Sequence, residues 1–373
     1  MLTPREVLRN AFRGAIFEAE DVLCAVDDVD LVAPKPARFA LAKRELHKRL
    51  VWKTSKALSW NLAFQPIHLT RDYDLFVAYL PLSQDLTHLA AIKSWKSSCR
   101  TSVCWIDELW AADLPDLKKW LPLLDEFDHV VLGYRGTVEP LSKILGRECH
   151  FLPMAVDALR FSPYPRRLSR RIDILSVGRR WPEIHRACAD LAKQQNIFYV
   201  HDTFNASYSV VEDHREHRDM LADMMKRSRF FVVAPAKIGT EEGSRGQVEV
   251  GLRYYEGAAA GTVMIGQAPV CDAYRTLFNW PDAVVEVSRN GSDVAETVTR
   301  LAADPDRMEQ ISRRNAAGAL LQHDWVYRWE RIIEIAGLTP APALLARKAR
   351  LAELAQMASS GRAPAYRGLT ASN

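Results

Sequence analysis

The sequence predicts an α/β fold made of two doubly wound units, each with a parallel sheet. Three observations carry this. Short apolar runs alternate with helical patterns; the alternation halts at a proline-rich segment near the middle and then restarts; and 373 residues suffice for two ordinary cores. Parallel strands need a crossover, which each intervening helix supplies.

Met1–Arg13 is a polar, mixed-charge helix pattern without the apolar centre of a leader. Leu31–Ala33 reads as a short strand ended by Pro34 and Pro36. Lys43, Arg44, Lys48, Arg49, Lys53 and Lys56 then share one helical segment with Trp52 and Trp60. Residues 43–60 are either a solvated helix face or a patch for anionic lipid headgroups or a phosphorylated acceptor, a peripheral membrane contact. Asp74–Tyr79 and Thr101–Ile106 are apolar runs bounded by polar turns, as buried strands are. Asp116–Leu121 reads as helix, Asp128–Leu132 as strand, Thr137–Leu145 as helix and His150–Leu152 as a closing strand. Residues 1–155 form the expected first domain.

Pro153–Pro165, followed by the basic run Arg166–Arg171, reads as a linker. Strands are expected at Ile172–Val177, Phe198–His201, Phe230–Ala234, Thr262–Ile265 and Ala283–Val287. Between and after them come helices Glu183–Gln194, Arg215–Lys226, Val248–Ala260, Ser292–Ala303 and one from Asp306. This second domain spans 156–338. Residues 339–373 hold one amphipathic helix, Leu344–Met357, and a Ser/Gly/Pro-rich tail expected to be disordered.

Composition narrows the function classes. Hydrophobic residues at 48% and charged residues at 26% give a globular balance. The longest apolar runs, Leu75–Leu80 and Phe230–Ala234, fall far short of the roughly 20 residues that span a bilayer. The six cysteines are scattered without CxxC or Cys/His spacing, so no metal site and a reducing cytoplasm are expected. A net charge of +4 is too small to argue for a nucleic-acid partner.

Ligands of open parallel sheets bind at the carboxyl ends of the strands. Gly178-Arg179-Arg180 follows one strand: glycine for a tight turn, arginines as forked donors to a diphosphate. It is not GxGxxG, so a dinucleotide is not indicated. Gly239–Gln247 follows another strand and contains Gly243, Ser244, Arg245 and Gly246. Ser244 with Gln247 fits a capping box opening the helix Val248–Ala260, whose amino end would favour an anion. On that helix Val248, Leu252, Tyr255 and Ala259 should be core, while Glu249 and Arg253 suit an exposed i,i+4 ion pair. Gly257–Gly261 implies close approach to a neighbour or ligand, with Gly261 as helix stop. Asp107 and Glu108, between Trp105 and Trp110, suit a sugar site; alternatively Asp107 caps a helix and the indoles are core. His201-Asp202 ends a strand and either borders a nucleotide base or is structural. His214 and His217 read as surface.

These segments resemble a known family. Gly251–Gly261 (GLRYYEGAAAG) resembles the GLPxxEAMAxG core of group 1 (family 4) glycosyltransferases, and more closely the RxxEAxAxG variant of their spore-maturation-type branch. Pro153–Asp157 through Phe161-Ser162-Pro163 is similar to PxGVDxxxFxP. Leu175–Arg179 looks like the "VGR" turn, and His323-Asp324-Trp325 with Arg328 resembles the terminal hsWxxR helix. The resemblance covers 153–338. It implies a GT-B fold, two Rossmann-like domains facing each other across a cleft, and glycosyl transfer from a nucleotide-diphosphate sugar.

The same resemblance implies that Glu256 holds the donor ribose, that Arg179 supports the diphosphate and that Glu249 touches the sugar. Glu249 precedes Glu256 by seven positions, where the family has eight. No DxD motif precedes the site, so cations such as Arg179, Arg245 and Arg253 are expected in place of a metal. Retention of anomeric configuration, as in family 4, needs no dedicated base; inversion would use Asp107 or Glu108. The acceptor is a glycan, a lipid-linked hydroxyl or a small molecule. A nucleotide-sugar epimerase and a non-catalytic nucleotide-sugar-binding protein are the alternatives.

Overall fold

In the computed structural model, which describes residues 1–6, 8–54, 63–166, 168–195, 197–203, 209–238 and 241–360, the apolar runs pair into two parallel sheets. The first runs β1 (Tyr73–Leu80), β2 (Cys99–Ile106), β3 (His129–Leu132) and β4 (His150–Phe151), neighbours in that order. Its register sets Tyr79 beside Trp105 and Ile106 beside Leu132. Leu2 bridges both Ala78 and Val32 at the free edge of β1. That bridge is all that forms where a strand was expected at Leu31–Ala33, because Pro34 and Pro36 bring no N–H to a ladder. A further two-residue pair joins Ile67–His68 to Ile92–Lys93.

The second sheet holds β5 (Ile172–Ser176), β6 (Tyr199–His201), β7 (Ser228–Val233), β8 (Val263–Gly266) and β9 (Val285–Glu286). Its spatial order is β9-β8-β7-β5-β6, with every pair parallel. The order reverses between β5 and β7, the switch point beside which such sheets bind ligands.

The helices that matter for the site are α1 (Gly14–Val26), α2 (Arg135–Leu145), α3 (Pro182–Gln195), α4 (His214–Lys226), α5 (Leu252–Ala259), α6 (Pro305–Gln322), α7 (Trp325–Ile335) and α8 (Pro342–Ser360). The helix expected at Asp116–Leu121 lies within a continuous helical stretch that switches between α and 3-10 geometry, Leu114–Leu117, Lys118–Trp120 and Leu121–Leu124. Pro115 and Pro122 each sit at the start of an α turn, where a missing N–H costs nothing.

Strand alternation divides the cores. Val77 and Tyr79 of β1 face α1 and α7, whereas Phe76, Ala78 and Leu80 face the opposite layer. In the second sheet Ile174, Phe230 and Val232 pack with α3, and Leu175, Phe231 and Val233 with α4, α5, α6 and α8. The segment expected to be a linker is buried: Ala155, Val156 and Phe161 have no exposed surface, Val156 bridges Asp324, and Ala158–Phe161 makes a helical turn.

Among the described residues no helix is long and apolar enough to cross a membrane. Ala40–Thr54 forms a helix at the start of the basic segment. Residues 55–60 of that segment lie outside the described residues, as do the side chains of Arg44, Lys48 and Lys53 and the tail 361–373.

Candidate functional site

Gly178 ends β5 in the left-handed region, at φ +84°, which favours glycine. Its N–H donates to Asp202 Oδ2 at 2.8 Å. Arg180 reaches back to Ser176 O at 2.9 Å and to both the backbone and the carboxylate of Asp202. Arg180 and Asp202 thus brace the turn, and Arg179 stands exposed at its tip. Against this turn lies Arg253: a Cβ at position 178 would come 3.2 Å from its Nε.

Arg253 is there because α5 starts at Leu252, with Gly251 as N-cap, and not at Val248 as the periodicity suggested. The expected capping box does not form. Ser244 ends a short 3-10 turn, and Gln247 Oε1 accepts from the Ala111 N–H at 2.9 Å in the first domain. Gln247 Nε2 donates to Thr137 Oγ1 at 3.1 Å and to Glu249 at 2.7 Å. Glu249 accepts the Gly136 N–H at 2.9 Å, at the amino end of α2. Glu249 is therefore buried across the domain boundary and is not the exposed partner of Arg253; Val248, expected in the core, is exposed. Burial raises the Glu249 pKa, against the Gln247 amide and the Gly136 and Arg135 N–H groups that lower it.

Arg253 Nη1 donates instead to Glu256 Oε2 at 2.5 Å, and Arg218 of α4 binds Glu256 Oε1. Glu256 has no exposed surface. Burial pushes its pKa up, but the charges and hydrogen bonds of Arg253 and Arg218 outweigh that and hold it below the usual range. The small-residue run beyond it serves packing. A Cβ on Gly257 would meet Met264 and Phe231 at 2.8 Å, and Gly261 turns the chain at φ +60°.

On the first domain, Asp107 follows β2 in a turn and caps no helix. It is 7% exposed, and its Oδ1 has no hydrogen-bond partner. Burial, then the charge of Glu108, pushes its pKa well above the carboxylate range. Glu108 accepts the Trp110 indole N–H at 3.2 Å. The indoles themselves are core: Trp105 stacks on Tyr79 at 4.0 Å, and Trp110 meets Tyr134 edge-on at 4.7 Å. They present no face for a sugar. The Tyr134 hydroxyl, pushed up by burial and then by Glu108, Asp107 and Glu249 while Arg179 pulls it down, marks where the two domains' charged groups meet.

The structure brings together Gly178, Arg179, Arg253 and Glu256 on one side, and Asp107, Glu108 and Glu249 around Tyr134 on the other. His201 stands apart, exposed, with its ring 4.7 Å from that of His185 and 5.1 Å from that of Tyr199. In the glycine loop Ser244 is buried, whereas Gly243, Arg245 and Gly246 are exposed, with Arg245 at φ +49° and Gly246 at φ +83°. Gly239 and Thr240 lie outside the described residues. His214 and His217, read as surface, are half-buried, and His214 packs edge-on against Phe17 of α1 at 4.6 Å.

Sequence reasoning missed Arg218 and Tyr134, and it named Asp202 and Gln247 without their partners, the Gly178 turn and Ala111. A signal existed for Arg218: it falls on the same face as Leu221, Ala222 and Met225, an apolar stripe where a cation needs a buried partner. A cavity of about 540 Å³ between Arg170, Arg229, Val263 and Ser312 is not part of this site. It lies at the amino ends of β7 and β8, the wrong end of the sheet for a ligand.

Residues 160–334 match a family model described as glycosyl transferase-like. Among solved structures, an alpha-glucosyltransferase in complex with UDP and a 13-mer DNA containing an HMU base superposes with a TM-score of 0.53 at 11% identity, over 90% of this chain and 98% of that one. An alpha-glucosyltransferase in complex with UDP-glucose and DNA containing an abasic site gives 0.49 at 10% identity, with the same coverage. TarM gives 0.44 at 9%, over 70% of this chain and 54% of that one. No curated protein matches in sequence. With two parallel α/β units meeting at the strand ends, the chain has the GT-B fold, and its residues 160–334 match a glycosyl transferase-like family model.

Proposed function

We propose that the chain moves a sugar from a nucleotide-diphosphate donor to a hydroxyl acceptor, without a metal ion and with retention of anomeric configuration. One observation carries this. Glu256 is held ionised between Arg218 and Arg253, while Arg253 lies against the Gly178 turn at the sheet's switch point. A carboxylate fixed in that way accepts hydrogen bonds from a ribose, and Arg253, the partly exposed one of the two cations, faces a diphosphate. The superposed alpha-glucosyltransferase of similar fold holds UDP, which agrees with such a donor.

Negative charge builds on the diphosphate as the glycosidic bond breaks, so fixed donors there supply most of the catalysis. Arg179, Arg253 and the amino end of α5 take that role, with Arg245 and the loop Gly243–Gly246 closing over them. Asp107 is buried, and burial pushes its pKa up. It offers the acceptor hydroxyl a hydrogen bond, which fits retention. Glu108 is the remaining first-domain carboxylate for an inverting route, and Glu249 is the sugar contact that the family resemblance implies.

Thermal-shift titration with UDP, GDP, dTDP, CMP and NAD checks the donor. One nucleoside diphosphate should stabilise the chain, and Arg179→Ala and Arg253→Ala should each cut its affinity by roughly tenfold or more. Stabilisation by NAD alone, or by none of the five, overturns the reading. With the donor sugar found, NMR of the product's anomeric proton reports retention or inversion. Conversion of the donor into its epimer without any acceptor would make the chain an epimerase.

A further inference from the structure

Arg218 is 3% exposed, and each of its three guanidinium nitrogens donates to a buried carboxylate. Its Nε donates to Glu18 Oε2 at 2.7 Å and its Nη2 to Glu18 Oε1 at 3.1 Å, a two-point fork. Nη1 goes to Glu256 Oε1, and the guanidinium lies 4.7 Å over the Phe161 ring. Glu18 belongs to α1, which covers the first sheet, so one guanidinium joins a first-domain helix to the carboxylate beside the switch point. Glu18 is itself fixed: it accepts the Asp157 N–H at 2.7 Å, the Trp325 indole N–H at 3.1 Å and Arg160 Nη1 at 3.3 Å.

A buried charge network of this kind is a costly way to hold helices together, since apolar side chains of similar volume do so at least as well. What it provides is orientation. A planar fork held on two atoms by Glu18 leaves its third nitrogen one direction in which to point, and Glu256 lies there. The other oxygen of Glu256 is taken by Arg253, which lies against Gly178.

We infer that Arg218 is a positioning residue of the donor site, anchored on the first domain by Glu18 and fixing the Glu256 carboxylate that meets the ribose of the nucleoside diphosphate. This rests on the donor reading above. Nucleotide affinity then depends on Glu18, a residue of the opposite domain, and it depends through the ribose and not through the phosphates.

Calorimetric titration of the full chain with UDP, GDP, dTDP and inorganic pyrophosphate tests this. Glu18→Gln keeps the shape and removes the anion; Arg218→Lys keeps the charge and removes the fork. Each should weaken the nucleoside diphosphate that the wild type binds by about tenfold, with pyrophosphate changed by less than about twofold. Arg215→Ala, which removes the exposed pair with Asp21 between the same two helices, should alter neither. Should Arg218→Lys fail to fold, Glu18→Gln decides alone. Wild-type nucleotide affinity in folded Glu18→Gln, with Glu256→Gln impaired, overturns the positioning role and leaves the donor site standing. Equal loss of nucleotide and pyrophosphate marks a general disturbance and overturns it as well. A wild type that binds none of UDP, GDP and dTDP removes the donor reading and the inference together.

Discussion

Glu20 on α1 has no exposed surface, and Arg5, the cation that bonds it, is itself partly exposed. Thr3 Oγ1 donates to it at 2.8 Å and Arg5 Nε at 2.5 Å, yet one of its oxygens is left without a partner. Desolvation therefore wins over attraction, and the pKa is pushed up to about 7. The raised Arg5 pKa shows that the attraction is real; it is too weak to offset the burial of the acid. Since the folded pKa lies above the unfolded one, the folded state keeps a proton that the unfolded state releases between roughly pH 4.5 and 7. Stability from this group is present at the acid end of that window and is lost as pH rises through it. Glu20→Gln should gain about 1–3 kcal/mol over the wild type at pH 8 and almost nothing at pH 4.5, measured by urea unfolding. Equal differences at both pH values would show that the carboxylate is not the cause. Nothing in the local sequence reveals this group, because Ile16, Ala19, Leu23 and Val26 form an ordinary apolar stripe and Glu20 sits where its solvated edge would be.

At the scale of elements, strands were legible where side chains alternate against a core, as in Leu75–Leu80 and Phe230–Val233. The start of α5 was not. Its first turn was misplaced because Gln247 and Glu249 spend their side chains on Ala111 and Gly136, partners 136 and 113 residues away. Helix periodicity records only local neighbours, so a segment bound to another domain looks like the helix that follows it. Gln247 thus acts as a clasp between the glycine loop and the first domain. Gln247→Ala leaves the buried end of that contact without its acceptor, at a cost of about 1–3 kcal/mol. The nucleotide half-site stays intact, so donor affinity should hold within about twofold while kcat falls roughly tenfold, because the two halves of the cleft lose register. Small-angle scattering should show a larger radius of gyration. A donor affinity that falls as far as kcat would place Gln247 on the donor and not between the domains.

The whole molecule departs from a simple chain of two domains at its far end. Trp325 and Trp329 of α7, placed by sequence order in the second domain, lie in the core of the first with Tyr79 and Trp105. The Trp329 indole donates to Ala19 O at 2.8 Å and the Trp325 indole to Glu18 at 3.1 Å, so both indoles are fastened to α1. Neither ring has exposed surface, and Arg328 between them holds the backbone oxygens of Pro153 and Met154. The two sheets were legible in the sequence, but this return was not: an apolar helix face shows that it is buried without naming the sheet that buries it. The consequence is that the first sheet is incomplete without residues 325–335. Trp329→Ala should cost about 3–5 kcal/mol. Hydrogen exchange should then speed up first in β1 and β2, ahead of the strands of the second sheet. A fragment of residues 1–155 should lack a cooperative urea transition, and adding back the rest of the chain in covalent form should restore it. Cooperative unfolding of that fragment, with β1 and β2 protected from exchange, would mean that α7 covers a core already complete and that the domains meet as finished units.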